Sequence, residues 1–288
     1  MIRIGLGSSS VYPQGVEAAF SAAAKLGYDG VEVMVTRESE TQSAEPLRRL
    51  AERYGVPVMS IHAPVLLYTH FVWGTDPAEK LERAAELADE LGARTVVVHP
   101  PFRWQSGYAE MFEDLVRDIS GRHDTAIAVE NMFPWRMAKR ELRAYAPHYD
   151  VRRLASDAAT LDFSHAALSG HDSLELAKTL GPRLRHIHLT DGTYPAEEGH
   201  LFDEHLLPGT GTQPVAQTLR MLADAGWDGD VVAEVNTRRA SEGPRRLQML
   251  QYTLEFAREH TAPSSPASGD DAGPPLGDAS ILDNAASD

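Results

Sequence analysis

Cysteine is absent from the 288 residues, which excludes disulfides, thiolate metal sites and cysteine nucleophiles; any metal must be held through nitrogen and oxygen. Lysine is scarce. Lys25, Lys80 and Lys178 fall inside predicted helices and Lys139 at the start of another, so none ends a strand, which weakens a Schiff-base mechanism. No phosphate-cradling glycine loop follows the first predicted strand, because GLGSSS has the wrong spacing for a dinucleotide fingerprint or a P-loop. Nor does GSSS form a nucleophile elbow. No run approaches the roughly 18 apolar residues of a membrane span. The opening MIRIGLG lacks the basic and apolar regions of a signal peptide, so a cytoplasmic location is the default expectation.

Positive charge is also in short supply, with 27 Lys and Arg against 42 Asp and Glu, for a net charge of −15. Five of those charges are aspartates in residues 261–288, which hold no lysine or arginine, so the remainder carries −10. A negative body does not attract polyanions at long range; this disfavours nucleic acid as a partner without excluding it, since a local basic rim or bound cations can reverse the sign. The segment 261–288 is rich in Pro, Gly, Ser and Asp and has no aromatic residue, the composition of a disordered acidic tail.

Against these absences stands a regular alternation of two patterns in a chain that is 42% hydrophobic. Short β-branched runs predict strands over 2–6, 30–34, 58–62, 95–99, 126–130, 158–162, 184–189 and 229–235. Helical periodicity falls between them, over 15–26, 45–54, 77–91, 108–119, 139–145, 173–180, 214–225 and 244–259. Eight such units argue for a parallel sheet closed into a (β/α)8 TIM barrel, an α/β fold that commonly uses about 250 residues. One domain over 1–260 is the expectation.

Five acidic or histidine residues fall where these strands end: His62, His99, Glu130, His188 and Glu234. Parallel strands in a barrel would bring all five to one rim, and imidazoles with carboxylates arriving from several directions suit a divalent ion. Two local patterns add to the set. Asp162 and His165 are three apart in LDFSHA, close enough for the turn leaving the strand to bring both to one ion. Asp203 and His205 flank one residue in FDEHLLPGTG, and in extended chain alternate side chains point the same way. Asp191, in HLTD, reads as a loop hydrogen-bonding residue. Trp104, Phe133 and Trp135 offer either a sugar-stacking wall or loop packing.

The ordered strings HAP, VVVHP, VEN, LDxxH, HIHLTD, DxHxxPGTG and AEV resemble the xylose isomerase-like barrel superfamily across residues 2–259. That superfamily includes sugar isomerases and epimerases and the endonuclease IV branch of DNA repair enzymes (AP endonuclease family 2). The isomerase and epimerase resemblance implies one ion, manganese, magnesium, cobalt or zinc, held by Glu130, Asp162, His188 and Glu234, with the two glutamates doubling as bases. The endonuclease resemblance adds His62, His99, His165, Asp203 and His205 around a cluster of three zinc ions. The chain departs from that branch at GLGSSS, where a GxHxS-type strand is expected, at HAPVLLYTHF, and at ENMFPWR in place of ENTAGxG, which sets bulky Phe133 and Trp135 where small residues would admit a duplex.

The expected function is therefore isomerisation or epimerisation of a small sugar, sugar phosphate or related polyhydroxy carbonyl compound. One of Glu130 and Glu234 would remove the proton beside the carbonyl and the other would return a proton, while His188 would hold an ion, which would supply stabilisation of the ene-diolate charge, and orient the substrate. Arg136, Arg238 or Arg239 would pair with a phosphate or carboxylate, and Trp135 would line the site. The competing expectation is a trinuclear zinc phosphodiesterase acting on abasic DNA. Assembly into a homo-oligomer is left open.

Overall fold

The computed structural model describes residues 1–64, 69, 71–137, 140–194, 203–240 and 244–262, with the backbone alone at 136, 137, 140 and 141. Eight parallel strands close into a barrel: β1 (Arg3–Gly7), β2 (Gly30–Met34), β3 (Val58–His62), β4 (Thr95–Val98), β5 (Ala126–Glu130), β8 (Ala158–Asp162), β9 (Leu184–Leu189) and β10 (Asp230–Ala233). Around the barrel they run β1-β10-β9-β8-β5-β4-β3-β2, each paired in parallel with its neighbours. Runs such as TVVV in β4 are buried on both faces, as expected of strands packed inward on barrel contents and outward on helices.

The connecting helices are α1 (Val16–Leu26), α2 (Ala44–Tyr54), α3 (Pro77–Leu91), α4 (Ser106–Arg122), α6 (Ser173–Leu180), α7 (Val215–Asp224) and α8 (Pro244–Thr261), with the short α5 (Phe163–Ser169) leaving β8 directly. Helix α3 shows how locally these are set. Asp76 caps it by accepting from the Ala78 amide, Pro77 occupies the first turn, and Gly92 ends it at φ 68°. The main apolar core is the shell between strands and helices, including Leu6, Phe20, Leu47, Leu81, Phe112 and Leu161. Met59 fills part of the barrel's interior because Gly5 and Gly30 make room for it; a Cβ on Gly30 would lie 2.2 Å from Met59 Cγ.

One element differs from the sequence reading. Residue 139 lies outside the described residues, and 140–145 do not form the expected helix; Trp135–Met137 (β6) and Arg140–Leu142 (β7) pair antiparallel. Helical propensity there is outweighed by tertiary pairing, since the Arg103 amide donates to Ala144 O at 2.8 Å and the Ala146 amide to Pro101 O at 2.8 Å. This lets Tyr145 stack on Phe102, with ring centroids 5.1 Å apart. The fifth crossover thus carries a hairpin where the barrel pattern calls for a helix. The acidic tail lies outside the described residues beyond 262.

Candidate metal centre

The C-terminal ends of β5, β8, β9 and β10 deliver Glu130, Asp162, His188 and Glu234 to one point, and one ligand atom from each lies within 4.8 Å of all the others. His188 Nδ1 sits at the middle, 2.9 Å from Glu234 Oε2, 3.1 Å from Glu130 Oε1 and 3.9 Å from Asp162 Oδ2. Each position follows from local structure. His188 is level with Asp162 across the β8–β9 register. Asp162 serves as the N-cap of α5, its Oδ1 accepting from the His165 amide at 2.8 Å and from the Thr190 hydroxyl at 3.2 Å. Asn131, in the VEN string, exchanges two hydrogen bonds with the Asp162 backbone and so ties β5 to β8 beside the site.

Two further groups adjoin this one. His62 Nε2 and His99 Nε2 approach Glu130 Oε2 at 3.6 and 2.9 Å, forming a second cluster on the β3–β4 side. On the other side Asp203 Oδ2 bridges His165 Nε2 at 2.8 Å and His205 Nε2 at 2.6 Å. Asp162, His165 and His205 can also converge on one point. All nine ligand candidates from the sequence are therefore contiguous. His99 and Glu234 each lie one residue beyond their strands.

Electrostatics in the cluster are strongly biased. Burial pushes the Glu130 carboxyl up, but the charges of His188, His99 and His165 outweigh it and hold Glu130 well below its ordinary value. Burial pushes His188 down, and the surrounding Glu234, Glu32 and Glu130 overcome this, raising it well above the usual histidine range. Burial dominates at Asp162 and raises it. His205 is lifted to about 10 because Asp203 outweighs burial.

The donors fit a divalent cation. Asp162 Oδ2 is a buried side-chain oxygen without a hydrogen bond among the described residues, and Glu130 Oε2, equally buried, has only the poorly aligned approaches of His99 and His62. Buried carboxylates in that condition are costly unless a cation or proton partners them. Three carboxylates and one imidazole, with no sulfur, match the ligand preferences of manganese, magnesium, cobalt or zinc.

Above the cluster opens a cleft of about 800 Å³ lined by His62, His99, Glu130, His165, Asp203, His205 and Glu234, with Ser8, Ser9, Tyr12, Arg37, Asn236 and Arg238 on its β1, β2 and β10 side. Asp162 and His188 are absent from that lining and fully buried below it. The arrangement separates two glutamates that face the cleft from two ligands that do not.

Arg238 is exposed at the cleft mouth, its guanidinium 5.4 Å from the Tyr12 ring centroid. Arg239 is exposed and outside the lining. The Arg136 side chain lies outside the described residues. Trp135 packs with Phe102 and Trp104, at 5.8 and 6.0 Å between ring centroids, and does not line the cleft, whereas Phe133 lies 5.0 Å from the His165 ring. Asp191 accepts from the amides of Gly192, Gly209, Gly211 and Gln213, a loop clamp as its sequence context indicated. Sequence reasoning missed Glu32 and His186. Glu32 is buried on β2, 3.0 Å from His188 Nε2, and His186 is buried 2.9 Å from Glu32 Oε2. An acidic residue within the apolar GVEVM, and a second histidine two before His188, were the available signals.

A closed parallel barrel with a carboxylate and imidazole cluster at its C-terminal face defines a class of barrel proteins with a candidate metal centre. The chain belongs to the family described as the xylose isomerase-like TIM barrel, whose model matches residues 20–260. It is 47% identical over 278 residues to an uncharacterized protein of Mycobacterium tuberculosis, covering 90% of this chain and 98% of that one. It is 21% identical to the fructoselysine 3-epimerase of Escherichia coli O157:H7, over 79% of this chain and 88% of that enzyme. A crystal structure of a D-tagatose 3-epimerase-like protein superposes with a TM-score of 0.59 at 22% identity, covering 90% of this chain and all of that one, a likeness of fold. No described helix is long and apolar enough to cross a membrane.

Proposed function

We propose that the protein is a divalent-metal-dependent isomerase or epimerase of a small sugar, sugar phosphate or related polyhydroxy carbonyl compound. The observation that carries this reading is the convergence of Glu130, Asp162 and Glu234 on His188 Nδ1 beneath a cleft sized for a small molecule. The sugar epimerases among the similar proteins support the substrate class.

Glu130, Asp162, His188 and Glu234 would hold the ion. A divalent cation there would polarise the substrate carbonyl and stabilise negative charge developing on its oxygen. The chain's own residues supply the proton transfers. Glu130 and Glu234 enter from strands three positions apart around the barrel, so a substrate lying between them presents opposite faces to the two carboxylates. One takes the proton from the carbon beside the carbonyl and the other delivers a proton to the opposite face. Their lowered proton affinity suits the carboxylate that accepts; the one that delivers must first take up a proton, which solvent reaching it through the open cleft would supply and which the accepting carboxylate afterwards returns to solvent. Arg238 at the mouth would bind an anionic group at the far end of the substrate.

The experiment is incubation with a panel of ketoses, ketose phosphates and sugar acids in D2O, followed by proton NMR. Deuterium entering at the carbon beside the carbonyl, and its loss in Glu130→Gln, is the expected result. Panel-wide absence of exchange with metal-loaded protein would contradict the reading.

A second reading is favoured by one observation, the sharing of Glu130 and Asp162 among three adjoining ligand clusters. Three zinc ions held in this way would suit hydrolysis of a phosphodiester at an abasic site. It requires His62, His99 and His205 to matter as much as Glu130. Phe133 beside His165 and the net negative charge weigh against a duplex substrate.

A further inference from the structure

Below the four candidate ligands lies a second tier of polar groups inside the barrel. Side chains two apart on a strand share a face, so His186 lies under His188, Ser60 under His62 and Thr160 under Asp162. Glu32 joins them from β2. The β2–β3 register pairs Val31 with Val58 but Glu32 with Ser60, accommodating Met59 as an extra residue, and this irregularity sets Glu32 level with Ser60. A matching irregularity accommodates Arg185 between β8 and β9 and sets His186 level with Thr160.

Both oxygens of Glu32 are engaged from within the barrel. Oε1 is 3.0 Å from His188 Nε2, and Oε2 accepts from the Ser60 hydroxyl at 2.7 Å. His186 Nε2 adds a contact to Oε2 at 2.9 Å, although neither His186 nitrogen has a well-aligned hydrogen bond among the described residues. Glu32, Ser60, His186 and His188 are all buried. The two nitrogens of His188 are thus divided, Nδ1 toward the three upper carboxylates and Nε2 toward Glu32.

We infer that Glu32 is the positioning residue of the metal centre: it accepts a hydrogen bond from His188 Nε2, fixes that tautomer, and so presents the Nδ1 lone pair to the ion. The inference rests on the assignment of a divalent ion to Glu130, Asp162, His188 and Glu234. An imidazole otherwise free to rotate about its bond to Cβ, or to carry its proton on either nitrogen, is restricted to one orientation and one donor atom. The carboxylate also raises the basicity of the ligating nitrogen. Ser60 holds Glu32 in turn, so the two register irregularities in the barrel act on the site through one buried carboxylate.

The test is zinc affinity, read by competition with a chromophoric chelator, for wild-type protein, Glu32→Gln and Glu32→Ala, together with the melting temperature of each metal-free protein. Loss of an outer partner of a metal-bound histidine costs about 10- to 100-fold in affinity. Glu32→Ala should reach that range, and Glu32→Gln, whose amide oxygen can still accept from His188, should fall between it and wild type. In the zinc-loaded wild type, imidazole nitrogen NMR should show His188 with its proton on Nε2. Wild-type affinity in a folded Glu32→Gln and Glu32→Ala pair, or a proton on Nδ1 of zinc-loaded His188, would overturn the inference while leaving the metal centre standing. If Glu32→Ala fails to fold, wild-type affinity in Glu32→Gln alone overturns it. Wild-type protein that takes up no divalent ion would remove the metal centre and this inference together.

Discussion

Replacing Asp162 by Asn separates the fold from the metal, because the two oxygens of Asp162 do different things. Oδ1 caps α5 and accepts from Thr190, whereas Oδ2 is buried and without a hydrogen bond among the described residues. Asparagine keeps an acceptor for the cap, and Asn and Asp are near equal at that position, so the helix terminus should change by well under about 1 kcal/mol. The charge is a liability in the metal-free protein. Burial raises the Asp162 carboxyl, so ionising it on folding lowers stability as pH rises past its unfolded value, and Asn removes that loss. The metal-free variant should therefore melt at or above the wild-type temperature at neutral pH. Metal binding should move the other way, falling more than about 100-fold, or about 2.8 kcal/mol, since a direct ligand matters more than an outer partner. Thermal melts with chelator and with added zinc or manganese, paired with titration calorimetry, measure both. A metal-free variant that melts far below wild type, or a variant that binds metal as tightly as wild type, would refute the reasoning.

Other outcomes follow from the same geometry. Glu130→Gln and Glu234→Gln should each lower turnover by about 100- to 10,000-fold, the usual contribution of a positioned acid or base, with circular dichroism unchanged. His205, raised to about 10 by Asp203 against burial, contributes stability that is fully present below its unfolded value near 6.5 and is lost as pH rises through 10. Metal-free protein should accordingly lose melting temperature between those pH values, and His205→Asn should flatten the profile. Arg238→Ala should raise KM for an anionic substrate by roughly tenfold with little change in kcat, in line with loss of a charged hydrogen bond. Gly30→Ala, whose Cβ would lie 2.9 Å from Pro57 O as well as against Met59, should destabilise by about 1–3 kcal/mol in denaturant unfolding.

The barrel was legible because its signals are local. GVEVM, VMSIH, AIAVE and LRHIHL are strands whose bounds agree with the sequence reading, and Pro77 with Gly92 brackets α3 as expected. The hairpin at Trp135–Leu142 was not legible, because residues 139–145 have helical propensity and only pairing with Pro101 and Arg103, distant in sequence, overrides it. The rim residues could be read from their position at strand ends, where a parallel barrel must gather them. Glu32 and His186 could not, because their role depends on which strand faces which across the barrel and on two register irregularities that leave no mark in composition. Trp135 shows the reverse limit: aromatic character alone does not tell a cleft wall from the packing of a hairpin.

In the proposed function, four residues at the barrel's C-terminal face hold a single divalent ion used in proton transfer. Elemental analysis of protein purified without a histidine tag counts that ion. One manganese, magnesium, cobalt or zinc per chain, lost in Asp162→Asn, is the predicted result; close to three zinc ions per chain, or none after incubation with each metal, would contradict it.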